Sequence, residues 1–155
     1  MGHEGEYFSR FPFAELRSDD GTSSFKICTY SYAYPYADNE YDADWHRNLL
    51  LCTLPSFKAE IDEVILDGHI VNYHLDHLRE FSALKRPIVE IEPTEPYFNF
   101  DLSLNSRKKV IVNGSVQYPA GWGAELRFKF ETDLSHVDQF VCGLESILRV
   151  FPSKR

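Results

Sequence analysis

Cysteine is scarce in this chain. Among 155 residues there are three, Cys28, Cys52 and Cys142, with no C-x-x-C spacing. An odd count so placed argues against a disulfide framework and against a zinc knuckle; the three read as small buried hydrophobes in a reducing compartment. Long apolar runs are also missing. No stretch approaches the ~18 residues of a membrane helix, and mean hydropathy is −0.35. Met1–Glu6 offers neither the basic nor the apolar region of a secretory leader. Gly2 is followed at position 6 by Glu, where a myristoylation signal takes Ser or Thr. A cytoplasmic location without membrane attachment is expected.

Positive charge is short. Lys and Arg number 16 against 24 Asp and Glu, a net −8. Nucleic-acid binding is disfavoured, because phosphate contacts need basic surface. Motifs of catalysis are missing too: no G-x-S-x-G, no P-loop, no G-x-G-x-x-G and no H-E-x-x-H. Ser82-Ala83-Leu84-Lys85 matches S-x-x-K, but its serine closes a helical pattern instead of opening one, and the partner motifs are absent. His69, His74 and His77 lie close in sequence, and His74 and His77 are i, i+3 neighbours. They read as helix-surface histidines, with a shared metal as the alternative. The expectation is a non-catalytic protein with no cofactor and no metal.

What is present is regular patterning. Apolar residues make up 43% and aromatics 15%, and no linker divides the chain, so one domain over residues 1–155 is expected. Phe98, Phe100, Leu102 and Leu104 alternate with Asn99, Asp101, Ser103 and Asn105, the period of a half-buried strand. Val110–Tyr118 repeats the alternation through Gly114, which implies close packing or a bulge there. Ala124–Glu131 repeats it again. Earlier strands are predicted over Tyr7–Leu16, Ser24–Tyr34, Asn48–Leu54 and Phe57–Asp67; in the last, Glu63 breaks the phase of Phe57, Ala59 and Ile61 before Val64 and Leu66 take over, a bulge signature or a frayed end. Two amphipathic helices follow from 3.6-residue spacing: one through Ile70, Val71, His74, Leu75, Leu78 and Phe81, the other from Leu134 to Phe151, capped by Ser135 with Asp138. The fold class is α+β: about eight antiparallel strands in meanders packed with two helices, in the order ββββα-ββββα.

The charge is unevenly placed. Residues 1–77 hold 14 acids and 5 bases, while residues 78–155 hold 10 acids and 11 bases. The densest acidic run is Asp38, Glu40, Asp42 and Asp44, ending at Trp45. Tyr30, Tyr32, Tyr34 and Tyr36 precede it, and on one strand they would share a face. Phenol rings rimmed by carboxylates suit a protein-binding hot spot. The partner-binding candidates are Tyr32, Tyr34, Tyr36, Asp38, Glu40, Asp42, Asp44 and Trp45. The alternatives are a solvated loop, a calcium loop that lacks the EF-hand Gly and Glu, and tyrosines packed under the chain's own elements.

Asp44-Trp45 leads into the apolar strand Leu49–Leu54 and the Phe57 strand. The helix Val71–Leu84 carries Leu75, Leu78, Phe81 and Leu84. Gly121–Pro152 runs from a glycine-containing turn through Leu126-Arg127-Phe128-Lys129-Phe130 and Asp133 to the long helix ending at Phe151-Pro152. In this order the stretches, covering about residues 40 to 152, resemble the WapI-type family of bacterial immunity proteins. That resemblance implies a small cytosolic protein that neutralises the toxic tail of a contact-delivered polymorphic toxin. It implies no catalytic residue and transfers no interface residue. Joined with the acidic first half, it predicts docking on a basic toxin domain, a nuclease in the sharpest form, because nucleases need basic grooves for phosphate. The rival readings are a small-ligand domain with an apolar cavity, a metal protein or enzyme built on the histidines and acids, and a homodimer paired through the tyrosines.

Overall fold

The computed structural model describes residues 4–155; the reading of Gly2 lies outside them. The chain runs α1 (Glu4–Arg10), β1 (Phe13–Arg17), β2 (Ser24–Tyr32), α2 (Glu40–Ala43), β3 (Trp45–Leu54), β4 (Phe57–Asp67), α3 (Gly68–Ser82), β5 (Ile88–Ile91), β6 (Phe98–Leu104), β7 (Val110–Tyr118), β8 (Ala124–Thr132) and α4 (Leu134–Val150). The strands form two four-stranded sheets, ordered β1-β2-β3-β4 and β5-β6-β7-β8. Every pairing is antiparallel. This is the α+β plan the patterning implies, each meander followed by a long helix.

The second half keeps the strict alternation of its sequence. Phe98, Phe100 and Leu102 of β6, Val110, Val112 and Val116 of β7, and Phe128 and Phe130 of β8 point into the core. Gly114 stands opposite both Phe100 and Phe128 without a register shift. A Cβ there would lie 2.2 Å from the Asn99 carbonyl oxygen and 2.4 Å from Phe100 Cβ. Close packing, not a bulge, is therefore what the glycine permits. The short fourth strand, β5, went unnamed by the pattern because only Val89 and Ile91 are buried along it.

α3 and α4 bury the stripes that their spacing predicts. Their N-caps are aspartates: Asp67 accepts from the Ile70 amide at 2.8 Å, and Asp133 accepts from the His136 amide at 2.9 Å. Ser135 is thus not the cap of α4; its hydroxyl donates to Asp133 instead. One core cluster draws on both sheets and both helices. At its centre Phe25 of β2 meets Phe98, Phe100 and Phe140, with ring centroids 4.8, 5.1 and 6.5 Å away.

The first half departs from its predicted pattern in two places. The strand expected over Tyr7–Leu16 is instead α1, a turn and the shorter β1. The signal lay in i, i+4 pairs: Glu6 with Arg10 at 2.9 Å, and Tyr7 with Phe11 at 5.6 Å between rings. Second, β2 carries a bulge against β3 that its sequence does not announce, while β4 carries one just past Glu63, where the break of phase points to a bulge or a frayed end. Tyr30 is the extra residue in β2, while Ile65 and Leu66 together oppose His46 from β4. The fully buried Asn48 of β3 fills both irregularities. Its Nδ2 donates to the Cys28 carbonyl and Thr29 Oγ1, and its Oδ1 accepts from the amides of Ile65 and Leu66.

Candidate protein-binding site

The tyrosine stripe does not stay on one strand. β2 ends at Tyr32, and Pro35, which lacks an N–H, sits in a turn closed by the Ala37 amide on the Tyr34 carbonyl at 3.1 Å. Each ring has its own environment. Tyr30 lies under α1, 4.9 Å from the Tyr7 ring, and donates its hydroxyl to Asp62. Burial, aided by that carboxylate, pushes its phenol up to about 12. Tyr32 donates to the Pro152 carbonyl at 2.6 Å, stands edge-on to Phe151, and carries Lys154 Nζ 3.9 Å above its ring. Tyr34 and Tyr36 are free of such cover, with Tyr36 97% exposed.

The acidic run is likewise split. Asn39 caps the single-turn α2: its Oδ1 accepts the Asp42 amide at 2.9 Å and its Nδ2 donates to Asp42 Oδ2 at 3.0 Å. This folds Asp38, Glu40 and Asp42 outward on one loop with the exposed Tyr41. Asp44 points the other way. It is fully buried and accepts from the His69 amide at 2.9 Å, the Lys154 amide at 2.7 Å and the Ser153 hydroxyl at 3.3 Å. It ties the segment after α4 to the start of α3, so its inclusion among outward-facing residues is corrected. A carboxylate with three donors is stable inside; a bare one is not.

Beside this loop lies an open pocket of about 520 Å³ lined by Tyr34, Ala37, Asp42, Trp45, Val64 and Glu95. Val64 and Glu95 come from β4 and the β5–β6 connection, so no local sequence signal could join them to Trp45. The apolar space among Phe25, Ile27, Val71 and Phe140 holds only about 20 Å³, one water's room, too little for a ligand.

The histidines are not one group. His74 is buried and its Nε2 meets the Glu92 backbone, with 2.7 Å to the carbonyl oxygen. It therefore packs α3 on the end of β5 and is not a helix-surface histidine. Burial holds its imidazole below the ordinary range. Among the described residues, the side chains close enough to share a cation are Asp19, Asp133 and His136. Asp19 there is 2.7 Å from Lys109 Nζ, and Asp133 is the α4 cap. Cys28 and Cys52 are buried, and desolvation pushes their thiols up to about 11 and about 12. Cys142 is exposed on α4, contrary to the expectation of burial.

The immunity protein WapI-like family model matches residues 15–152, nearly the whole chain. The chain belongs to that family. No curated protein matches it. Among solved structures, the crystal structures of Trypanosoma bruciei MRP1/MRP2 align over 95% of this chain and 90% of that one, at 11% identity and a TM-score of 0.47. A likeness at that level carries nothing further. In this member of the WapI-like immunity family, the β2–β3 connection sets exposed Tyr34, Tyr36 and Tyr41 beside exposed Asp38, Glu40 and Asp42. No described helix is long and apolar enough to cross a membrane.

Proposed function

We propose that this chain is a cytoplasmic, non-catalytic immunity protein that neutralises a bacterial toxin by laying the β2–β3 connection on a basic surface of the toxin, a nuclease groove in the sharpest form. The observation that carries the reading is the loop itself. Residues 33–45 contain four acids and no base, and three of those acids, Asp38, Glu40 and Asp42, are exposed beside exposed Tyr34, Tyr36 and Tyr41. An exposed acidic patch speeds encounter with a basic partner, and desolvated aromatic anchors hold it. The contact set is Tyr34, Tyr36, Asp38, Glu40, Asp42 and Trp45, with Tyr32 contributing only its rim. Asp44 takes no part, because it is spent internally.

The test pairs the chain with the C-terminal domain of the secreted toxin encoded beside it. Wild type should bind and protect cells from that domain. The triple variant Asp38→Asn, Glu40→Gln, Asp42→Asn should bind more weakly at low salt, with the gap narrowing at high salt as screening removes the difference. Equal affinity of the two proteins at both salt concentrations would remove the acidic-docking reading.

A further inference from the structure

Resting on that reading for its partner, the structure assigns a specific task to the pocket between Tyr34, Trp45, Asp42 and Glu95: we infer that it receives an arginine side chain of the bound protein.

Its walls carry the chemistry of a guanidinium site. Two aromatic residues, Tyr34 and Trp45, line it; two carboxylates, Asp42 and Glu95, supply acceptors; Ala37 and Val64 provide apolar surface for a methylene stem. None of the six lining residues is basic. Arginine fits this set better than lysine, since its planar head stacks on rings and forks onto carboxylates at the same time. The volume, about 520 Å³, is that of a small-molecule site and exceeds what one side chain fills, so water or a neighbouring residue enters with it.

The chain itself shows the preference of this region for cations on rings. Lys154 Nζ sits 3.9 Å over Tyr32, and Arg155 Cζ sits 4.5 Å over Tyr41. Among the described residues no such cation lies over Tyr34 or Trp45. Both aromatic rings that line the pocket therefore lack a cation from the described part of the chain. Asp42 is also held in place, because Asn39 Nδ2 donates to its Oδ2. A preset acceptor loses less freedom on binding than a loose one.

The test needs no toxin. The chain has two tryptophans, and Trp122 is 80% exposed in the β7–β8 connection. Trp122→Phe leaves Trp45 as the only indole reporter. Titrating this full-length variant with Nα-acetyl-arginine amide should give a saturable change in Trp45 emission. Nα-acetyl-glutamine amide at equal concentration should give none. Adding Glu95→Gln should weaken the arginine response about threefold, and Asp42→Asn with it about tenfold. Glu95→Gln alone suffices should loss of the Asn39–Asp42 contact disturb α2. Identical responses to the arginine and glutamine probes, or an unchanged response in Glu95→Gln, would overturn the inference and leave the immunity reading standing. Conversely, if the neighbouring toxin domain does not bind wild type, the immunity reading fails while the titration still judges the pocket. If that domain binds wild type and the Glu95→Gln, Tyr34→Leu variant equally, the partner's arginine is not in the pocket.

Discussion

The carboxylate of Asp44 accepts the backbone amide of Lys154 at 2.7 Å, joining positions 110 residues apart. The same side chain accepts from His69 at the head of α3. One buried acid thus fixes both the entry of α3 and the segment that lays Lys154 over Tyr32.

Removing that acid strands the donors it serves. Asp44→Ala should lower unfolding free energy by about 3 kcal/mol in urea titration, as expected when buried partners of a charged acceptor go unpaired. The exposed Asp42→Asn should change it by less than about 0.5 kcal/mol beyond the loss of its contact with Asn39. Equal effects of the two would mean that Asp44 is not a structural acid.

Asn48 holds two bulges at once, using both its amide nitrogen and its oxygen. No other side chain of its size presents two donors and an acceptor in that layout. Asn48→Leu should therefore cost about 3 kcal/mol despite its similar volume, because four buried backbone and hydroxyl partners lose their match. Asn48→Asp should be no better, since its second oxygen would face the Cys28 carbonyl. Denaturation midpoints of the two variants check this.

Stability should fall in mild acid through His46. Burial, opposed in part by Asp44 and Asp67, depresses its imidazole from 6.5 to about 4. Thr29 Oγ1 takes a hydrogen from Asn48 Nδ2 and also shares a 3.0 Å hydrogen bond with His46 Nδ1. Nε2 lies buried with no hydrogen-bond partner among the described residues, and the ring packs in a triangle with those of Tyr32 and Phe151, 5.7 and 5.9 Å away. The unfolded chain binds a proton near 6.5 that the folded chain refuses until about 4. The contribution is whole above 6.5 and drains as pH falls toward 4, on the order of 3 kcal/mol in total. His46→Gln should flatten the urea-derived stability between pH 7 and pH 4.5. Asp133, lowered to about 2 by the Ser135 hydroxyl and the His136 amide, sets a separate loss between 3.8 and about 2.

Phe25 ties the two sheets through Phe98, Phe100 and the α4 ring Phe140. Phe25→Ala should cost about 3–5 kcal/mol. The whole chain should still melt in one transition, with near-ultraviolet and far-ultraviolet dichroism coinciding. Two separated transitions would show that the halves fold independently.

The second half was legible in its sequence because one face of each strand is wet and the other dry, so period 2 survives from Phe98 to Glu131. The stripes of α3 and α4 were legible for the same reason at period 3.6. Near the site that logic fails. Tyr30 through Tyr36 alternate perfectly in sequence, yet a bulge at Tyr30 and Pro35 send the four rings to different places. Asp44 looks like its neighbours Asp42 and Glu40, and only the return of Ser153 and Lys154 makes it an internal acid.

Composition and periodicity alone determined the α+β class, the plan of two meanders each followed by a long helix, and the acidic bias of the first half, because backbone pairing and apolar burial act on local pattern. Which acids and rings remain open to a partner was decided only by the tertiary structure. Exposure depends on what packs on top, and the residues that do so, Tyr7, Pro152 and Lys154 on the tyrosines, and Val64 and Glu95 beside Trp45, arrive from distant parts of the chain.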